Sequence, residues 1–203
     1  MRTRWTLAAA GVALLLAPGA AQAHLVATGL GPLYDGATHF ALSPEDGLPV
    51  AALALYAGLR GPVQARLSLA ALPLAWFAGG LAATLTGASS PPVMLGAAIM
   101  LALGGLLAAN PPLSPRVCAG IAAILGLTRG FADMAGAAPT GGALLTLAGM
   151  SAAVFVVFAL AASITLPLRR FWMIVAARVT GSWLAATGLL LAGWIIRYGA
   201  KVQ

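Results

Sequence analysis

Charged and metal-binding side chains are scarce in this chain of 203 residues, and each scarcity excludes a class of protein. Only 7% of the residues are charged, against about 25% in soluble domains, which excludes the solvated surface of a globular protein. The single cysteine, Cys118, excludes an internal disulfide and a metal cage built from several thiolates. The sequence also lacks the Gly-x-Ser-x-Gly and His-Glu-x-x-His patterns of hydrolases, so we predict that the protein is not an enzyme.

Hydrophobic residues are abundant instead and make up 61% of the chain. Long apolar runs predict an all-α fold, a polytopic integral membrane bundle with about six transmembrane helices of roughly 20 residues each. The net charge of +7 would suggest nucleic-acid binding in a soluble protein. Here the basic residues stand at the ends of the apolar runs, as the positive-inside rule requires. We therefore predict contact with membrane lipid and no nucleic acid as a partner.

Residues 1–23 have the organisation of a secretory signal peptide. Arg2 and Arg4 form a positive n-region, an apolar stretch follows, and Ala21-Gln22-Ala23 provides a small-x-small cleavage pattern. The alternative is an uncleaved N-terminal span, and in both cases the chain that follows starts on the outer side of the membrane. Cleavage would make His24 the N-terminal residue, whose α-amine and imidazole can chelate a divalent metal together.

Residues 24–203 are predicted to form a single transmembrane domain, with an outer-face metal-capture segment at 24–46 and a helical bundle at 47–197. Glycines and prolines divide the bundle into predicted spans at 48–59, 67–85, 93–109, 117–137, 143–166 and 173–196. An outer start puts the following arginines in or beside inner loops: Arg60, Arg66, Arg116, Arg169 and Arg170. The turns at 86–92 and 138–142 would then lie outside, and neither contains lysine or arginine, in agreement with the positive-inside rule.

The segment at 24–46 contains both histidines and three of the four acidic residues. Asp35 and His39 are four residues apart, so a helix would place them on one face, and His24 precedes them on a glycine-rich arm. These nitrogen and oxygen groups suit Ni²⁺, Cu²⁺, Zn²⁺ or Co²⁺, with Asp35 either a direct ligand or a partner of the imidazole. Glu45 and Asp46 follow Ser43 and Pro44 and are interpreted as helix-capping acids that would also attract cations.

A second polar pair lies within the predicted span at 117–137. Arg129 and Asp133 are four residues apart, and each charge costs about 3 kcal/mol at the centre of a membrane helix. They should therefore face the interior of the bundle and pair with each other or with a residue such as Arg178. Two interpretations remain open: a polar path or gate, and a structural ion pair that fixes helix packing. Arg178 itself also has the simpler interpretation of a side chain that extends to the inner membrane surface.

The signal peptide that ends before His24, followed by GLGPLYDGATHFALSPEDGLPVAALALYAGLRG at 29–61, resembles the HupE/UreJ family of small bacterial membrane proteins. The resemblance covers the whole mature chain and implies that His24, Asp35 and His39 bind nickel. Better-known members have an Asp-His pair in the first motif, and a second motif of the form Gly-Leu-Phe-His-Gly-Tyr-Ala-His-Gly. The stretch at 126–134 matches the second motif, with Arg129 and Asp133 where the histidines would stand.

The resemblance implies a nickel permease, or an accessory protein that delivers nickel for urease or hydrogenase maturation, in the bacterial inner membrane with its N-terminus in the periplasm. The ion would be bound or transported, with no permanent cofactor, and urease or hydrogenase maturation proteins would be the protein partners. The alternative is an outer-face metal-binding receptor or assembly factor that does not transport. This second hypothesis is favoured by the absence of histidine from the predicted spans.

Overall fold

The computed structural model describes residues 29–137, 140–167 and 171–198, and every described element is a helix. This agrees with the all-α prediction, while the predicted signal peptide and His24 lie outside the described residues. The helices, numbered in chain order, are α1 (Pro32–Leu42), α2 (Pro44–Arg60), α3 (Pro62–Thr86), α4 (Val93–Ala109), α5 (Pro115–Met134), α6 (Gly141–Thr165) and α7 (Phe171–Tyr198).

Four of these helices, α3, α5, α6 and α7, are long and apolar enough to cross a membrane. Helix α4 is apolar but has 17 residues, and its bounds coincide with the predicted span at 93–109. Helix α2 also has 17 residues, and its first turn contains Glu45 and Asp46. A helical membrane protein is thus supported by four helices, and the count of about six spans stays a prediction.

Proline and small polar residues explain where the helices begin. Proline occupies the first turn of α1, α2, α3 and α5, where its missing N–H is not needed. The Ser114 side chain caps α5 by accepting a hydrogen bond from the N–H of Val117 at 3.4 Å. Ser43 stands at the N-cap position of α2, but its hydroxyl donates back to the carbonyl of His39 at 2.7 Å instead of capping. The junction between α1 and α2 is therefore a single, tightly bonded residue.

Glycines allow close contact between α3 and α5. A Cβ on Gly130 would lie 2.1 Å from the carbonyl oxygen of Trp76, and one on Gly126 would lie 2.4 Å from that of Leu72. Only glycine permits two helix backbones to approach so closely. Such contacts are common in membrane proteins, where the lipid provides no hydrophobic driving force for helix association. The Trp76 ring is fully buried and meets the Phe40 ring edge-on at 5.6 Å, which joins α1 to α3.

Candidate metal site

Three ligand-capable side chains converge at one end of the bundle. His39 in the last turn of α1, Asp46 in the first turn of α2 and Asp133 in the last turn of α5 each present one ligand atom, and these atoms lie within 4.8 Å of one another. Asp46 is only 1% exposed, and the side chain of Asp133 is 6% exposed. We call His39, Asp46 and Asp133 the capture triad. An imidazole nitrogen and two carboxylate oxygens are a suitable partial ligand set for Zn²⁺, Ni²⁺ or Co²⁺.

The local fold explains why residues so distant in sequence meet. The one-residue junction at Ser43 keeps the end of α1 next to the start of α2, which brings His39 and Asp46 together. The glycine contacts hold α5 against α3, and close contacts at Gly36 and Gly149 hold α1 against α6. The Phe40 ring also reaches Trp76 of α3, so the end of α5 lies beside the junction between α1 and α2.

Arg129 forms the charged centre of the site. Its Nε donates to Oδ1 of Asp46 at 2.6 Å, and its Nη2 pairs with the same oxygen. Nη2 also lies 3.6 Å from Oδ1 of Asp133, the contact expected for residues four apart on one helix, and 3.8 Å from Oε1 of Glu45. Three carboxylates thus surround one guanidinium, so acidic side chains outnumber basic ones at the site. Such an excess of carboxylates attracts cations.

One oxygen of Asp46 remains available for a ligand. Oδ1 is bonded to Arg129, whereas Oδ2 is buried and has no hydrogen-bond partner among the described residues. A buried acceptor without a partner is costly, by about 1–3 kcal/mol and more for a charged group. An ion at the triad would supply a partner of opposite charge for this oxygen.

A cavity of about 290 Å³ gives access to the site. His39, Glu45, Arg129 and Asp133 line one part of it, and residues of the connection between α3 and α4 line another: Ser90, Pro91, Pro92 and Val93. The cavity has room for an ion together with several of its waters, so a hydrated ion can reach the triad before it exchanges water for protein ligands.

The capture triad overlaps only partly with the residues predicted from sequence. His39 is a member, and Asp35 lies one turn before it on α1 as the spacing predicts, but Asp35 does not belong to the group. Glu45, predicted as an auxiliary acid, lies at the rim with a side chain that is 67% exposed. Asp46, interpreted from sequence as a capping acid and, like Glu45, a possible auxiliary acid, is a buried member of the triad. Helix capping alone explains an acid after Ser-Pro, so the sequence does not distinguish Asp46 from Glu45.

Arg178 lies away from the site. Its Nε donates to the carbonyl oxygen of Ala108 at 2.6 Å and so joins α7 to the last turn of α4. The predicted Arg129–Asp133 pair therefore has Asp46 and Glu45 as its additional partners, both from α2. Arg178, predicted as a candidate partner of this pair, contacts the carbonyl of Ala108 in α4 instead of the pair.

Comparisons of the chain with protein-family models, with curated proteins and with solved structures find no match. The resemblance to the HupE/UreJ family thus rests on the residues themselves. The stretch at 126–134 supplies Arg129 and Asp133 to the site.

Proposed function

We propose that this membrane protein captures a divalent transition-metal ion at the outer end of its helical bundle, with His39, Asp46 and Asp133 as the ligands. One observation carries the proposal. A chain with two histidines and four acidic residues in total has three of these six side chains within 4.8 Å of one another, beside a cavity. The excess of carboxylates over guanidinium and the buried Asp46 oxygen without a partner among the described residues both favour such an ion.

Orientation follows from the distribution of arginines. Arg60, Arg66 and Arg116 stand at the ends of α2, α3 and α5 that are opposite to the site. The connection at 87–92, which borders the cavity, contains no basic residue. The positive-inside rule then assigns the capture triad to the periplasmic side of a bacterial inner membrane, with α2 and α4 completing a bundle of about six spans.

Nickel is the first candidate for the ion. The nitrogen and oxygen ligands suit Ni²⁺, Co²⁺ and Zn²⁺ about equally, and the resemblance to the HupE/UreJ family favours nickel among them. In that role the protein would be a permease or a delivery accessory for urease or hydrogenase maturation. His24, with its α-amine, would add further nitrogen ligands if the signal peptide is removed.

A second candidate, a receptor that binds the ion without transporting it, is favoured by the bundle interior. The buried polar residues of the described chain outside the site are the hydroxyl residues Ser68, Thr84, Thr146 and Thr165. No described histidine or carboxylate lies buried between the triad and the inner end of the bundle, and the buried thiol of Cys118 lies near that inner end, next to Ser68. Transport would require the helices to separate, whereas binding requires only the arrangement described above.

Calorimetric titration of the purified full chain with Ni²⁺, Co²⁺ and Zn²⁺ tests the proposal. We expect one saturable site, with affinity at least tenfold lower in His39→Ala and in Asp133→Asn. Asp35→Asn distinguishes the two possible ligand sets. If the capture triad binds the ion, this variant still binds it. If the set predicted from sequence binds it, namely His24, Asp35 and His39, binding is lost. Absence of metal binding by the wild type would refute the proposal.

Uptake of radioactive nickel distinguishes permease from receptor. Cells that lack their own nickel transporters would express the wild type or His39→Ala at equal membrane levels. Uptake by the wild type that is lost in the variant indicates a permease. Binding by the purified protein without uptake by cells indicates the receptor.

A further inference from the structure

We propose that Arg129 is a resident counter-ion of the capture triad, which the incoming divalent cation displaces from Asp46 and which then pairs with Glu45 at the rim of the cavity. The inference rests on the proposed function, since it concerns how the same site exchanges its occupant. The HupE/UreJ motif, which this stretch resembles, has a histidine at this position. An imidazole can act as a metal ligand, whereas a guanidinium cannot, so Arg129 would have a different role.

The guanidinium already occupies the position of a cation. It is 8% exposed, holds Oδ1 of Asp46 with two nitrogens, and lies 3.6 Å from Oδ1 of Asp133. The ligand atoms of the triad span no more than 4.8 Å, so an ion among them would be a close neighbour of the guanidinium. Two cations so close repel each other strongly at the low effective dielectric of a buried site. The ion and Arg129 therefore compete for the same carboxylates.

The surroundings of Arg129 leave room for its guanidinium to move toward the cavity. The side chain lines the cavity, and Nη1 points toward Gly96, where a Cβ would lie 3.7 Å from it. Glu45 lines the same cavity, its carboxylate is 3.8 Å from Nη2, and its side chain is 67% exposed. A change of rotamer can thus move the guanidinium from Asp46 toward Glu45 with no displacement of a helix.

Exchange of this kind keeps every buried charge paired. Before metal binding, Asp46 is paired with Arg129; afterwards it is paired with the ion, and Arg129 is paired with Glu45. A buried carboxylate without a counter-ion is strongly destabilising, so a resident guanidinium preserves the bundle while no metal is bound. The same guanidinium lowers the affinity for metal and so favours release. The guanidinium also disfavours the binding of monovalent cations, because such an ion would replace one unit of positive charge by another and gain no electrostatic energy.

Titration of the full-length chain with Ni²⁺ tests the exchange by comparing the wild type, Arg129→Gln and Arg66→Gln. Arg66, an exposed arginine at the opposite end of the bundle, controls for the loss of one positive charge. We expect Arg129→Gln to bind Ni²⁺ at least tenfold more tightly than the wild type, and Arg66→Gln to bind as the wild type does. Equal or weaker binding by Arg129→Gln would overturn the inference and make Arg129 a positioning residue for the carboxylates. If neither the wild type nor Arg129→Gln binds metal, the proposed function fails instead.

Further variants keep the inference testable if Arg129→Gln does not fold. Arg129→Lys retains a positive charge but lacks the planar fork that holds Asp46, so its affinity should exceed that of the wild type by several-fold. Glu45→Gln should weaken binding more in the wild type than in the Arg129→Met background, because pairing with a displaced positive charge can be lost only in the former. The attraction between Glu45 and the ion is common to both backgrounds and cancels in this cycle. Equal affinities of Arg129→Lys and the wild type, or equal effects of Glu45→Gln in both backgrounds, would contradict the exchange.

Discussion

The two ends of the bundle use polar side chains in different ways. At the end with the capture triad, charged side chains meet other charged side chains beside a cavity. At the opposite end, two polar side chains bond to backbone carbonyls: Arg178 to Ala108, and the hydroxyl of Tyr56 to Pro111 at 2.6 Å. A carbonyl at a helix end or in a turn needs a donor, so these contacts complete the secondary structure.

The difference teaches which polar residues are candidates for function in a membrane bundle. A side chain that satisfies a backbone group has a sufficient structural reason to be polar. The carboxylates of α2 and α5 lack such a reason, because they must be held in place by an arginine that is itself costly to bury. Substitutions should therefore affect both stability and metal binding at the triad end, and only stability at the other end.

The largest effect is expected from Asp46→Ala. Removal of this carboxylate leaves the guanidinium of Arg129 buried with only the more distant Asp133 and Glu45, and loss of one partner of a buried pair costs about 3–5 kcal/mol. Unfolding of the purified protein in detergent, followed by circular dichroism, measures the loss. Metal binding should disappear as well.

The triple variant Asp46→Leu/Arg129→Met/Asp133→Leu separates the two effects. Apolar residues replace the buried guanidinium and both buried carboxylates that pair with it, so stability should return to near or above that of the wild type while metal binding stays absent. A triple variant as unstable as Asp46→Ala would show that the charged cluster itself is needed for the fold, and the contrast between the two ends would then weaken.

An intermediate effect is expected from Gly130→Ala. The added Cβ would lie 2.1 Å from the carbonyl oxygen of Trp76, so α5 must move away from α3 at a cost of about 1–3 kcal/mol. The shift also displaces Arg129 and Asp133, so metal affinity should fall with stability. Gly120→Ala on the same helix is the matched control, because no atom lies within 4 Å of its Cβ position. Equal destabilisation by the two variants would refute the close contact between the helices.

Much of the fold could be predicted because hydropathy and the positions of helix-breaking residues are local properties of the sequence. Prolines mark both ends of α4 at the predicted positions, and the pairing of Arg129 with Asp133 follows from their spacing on one helix. Helix α1 likewise contains Asp35 and His39, which are four residues apart. Each of these predictions depends on residues less than about five positions apart, over which helix geometry is fixed.

The composition of the site could not be predicted, since it depends on which helices pack together. Asp46 and Arg129 are 83 residues apart, and their contact depends on the glycine-mediated packing of α5 against α3. One signal in the sequence could have indicated Asp46. In a chain with only four acidic residues, a buried arginine needs more than one carboxylate for its five N–H donors, and Asp46 and Glu45 are among the few available.

The smallest effect is expected from Tyr56→Phe, at the end opposite the triad. The Tyr56 hydroxyl donates to the carbonyl of Pro111 and lies 3.4 Å from the N–H of Leu113, so its removal leaves the turn between α4 and α5 without these partners. We expect a loss of about 1 kcal/mol in the free energy of unfolding, the usual contribution of one hydrogen bond. Nickel affinity, measured by the same calorimetric titration, should stay within twofold of the wild type because no charge near the triad changes. A marked loss of affinity would mean that the two ends are coupled through α2, and a site that senses the inner end in this way would favour the permease over the receptor.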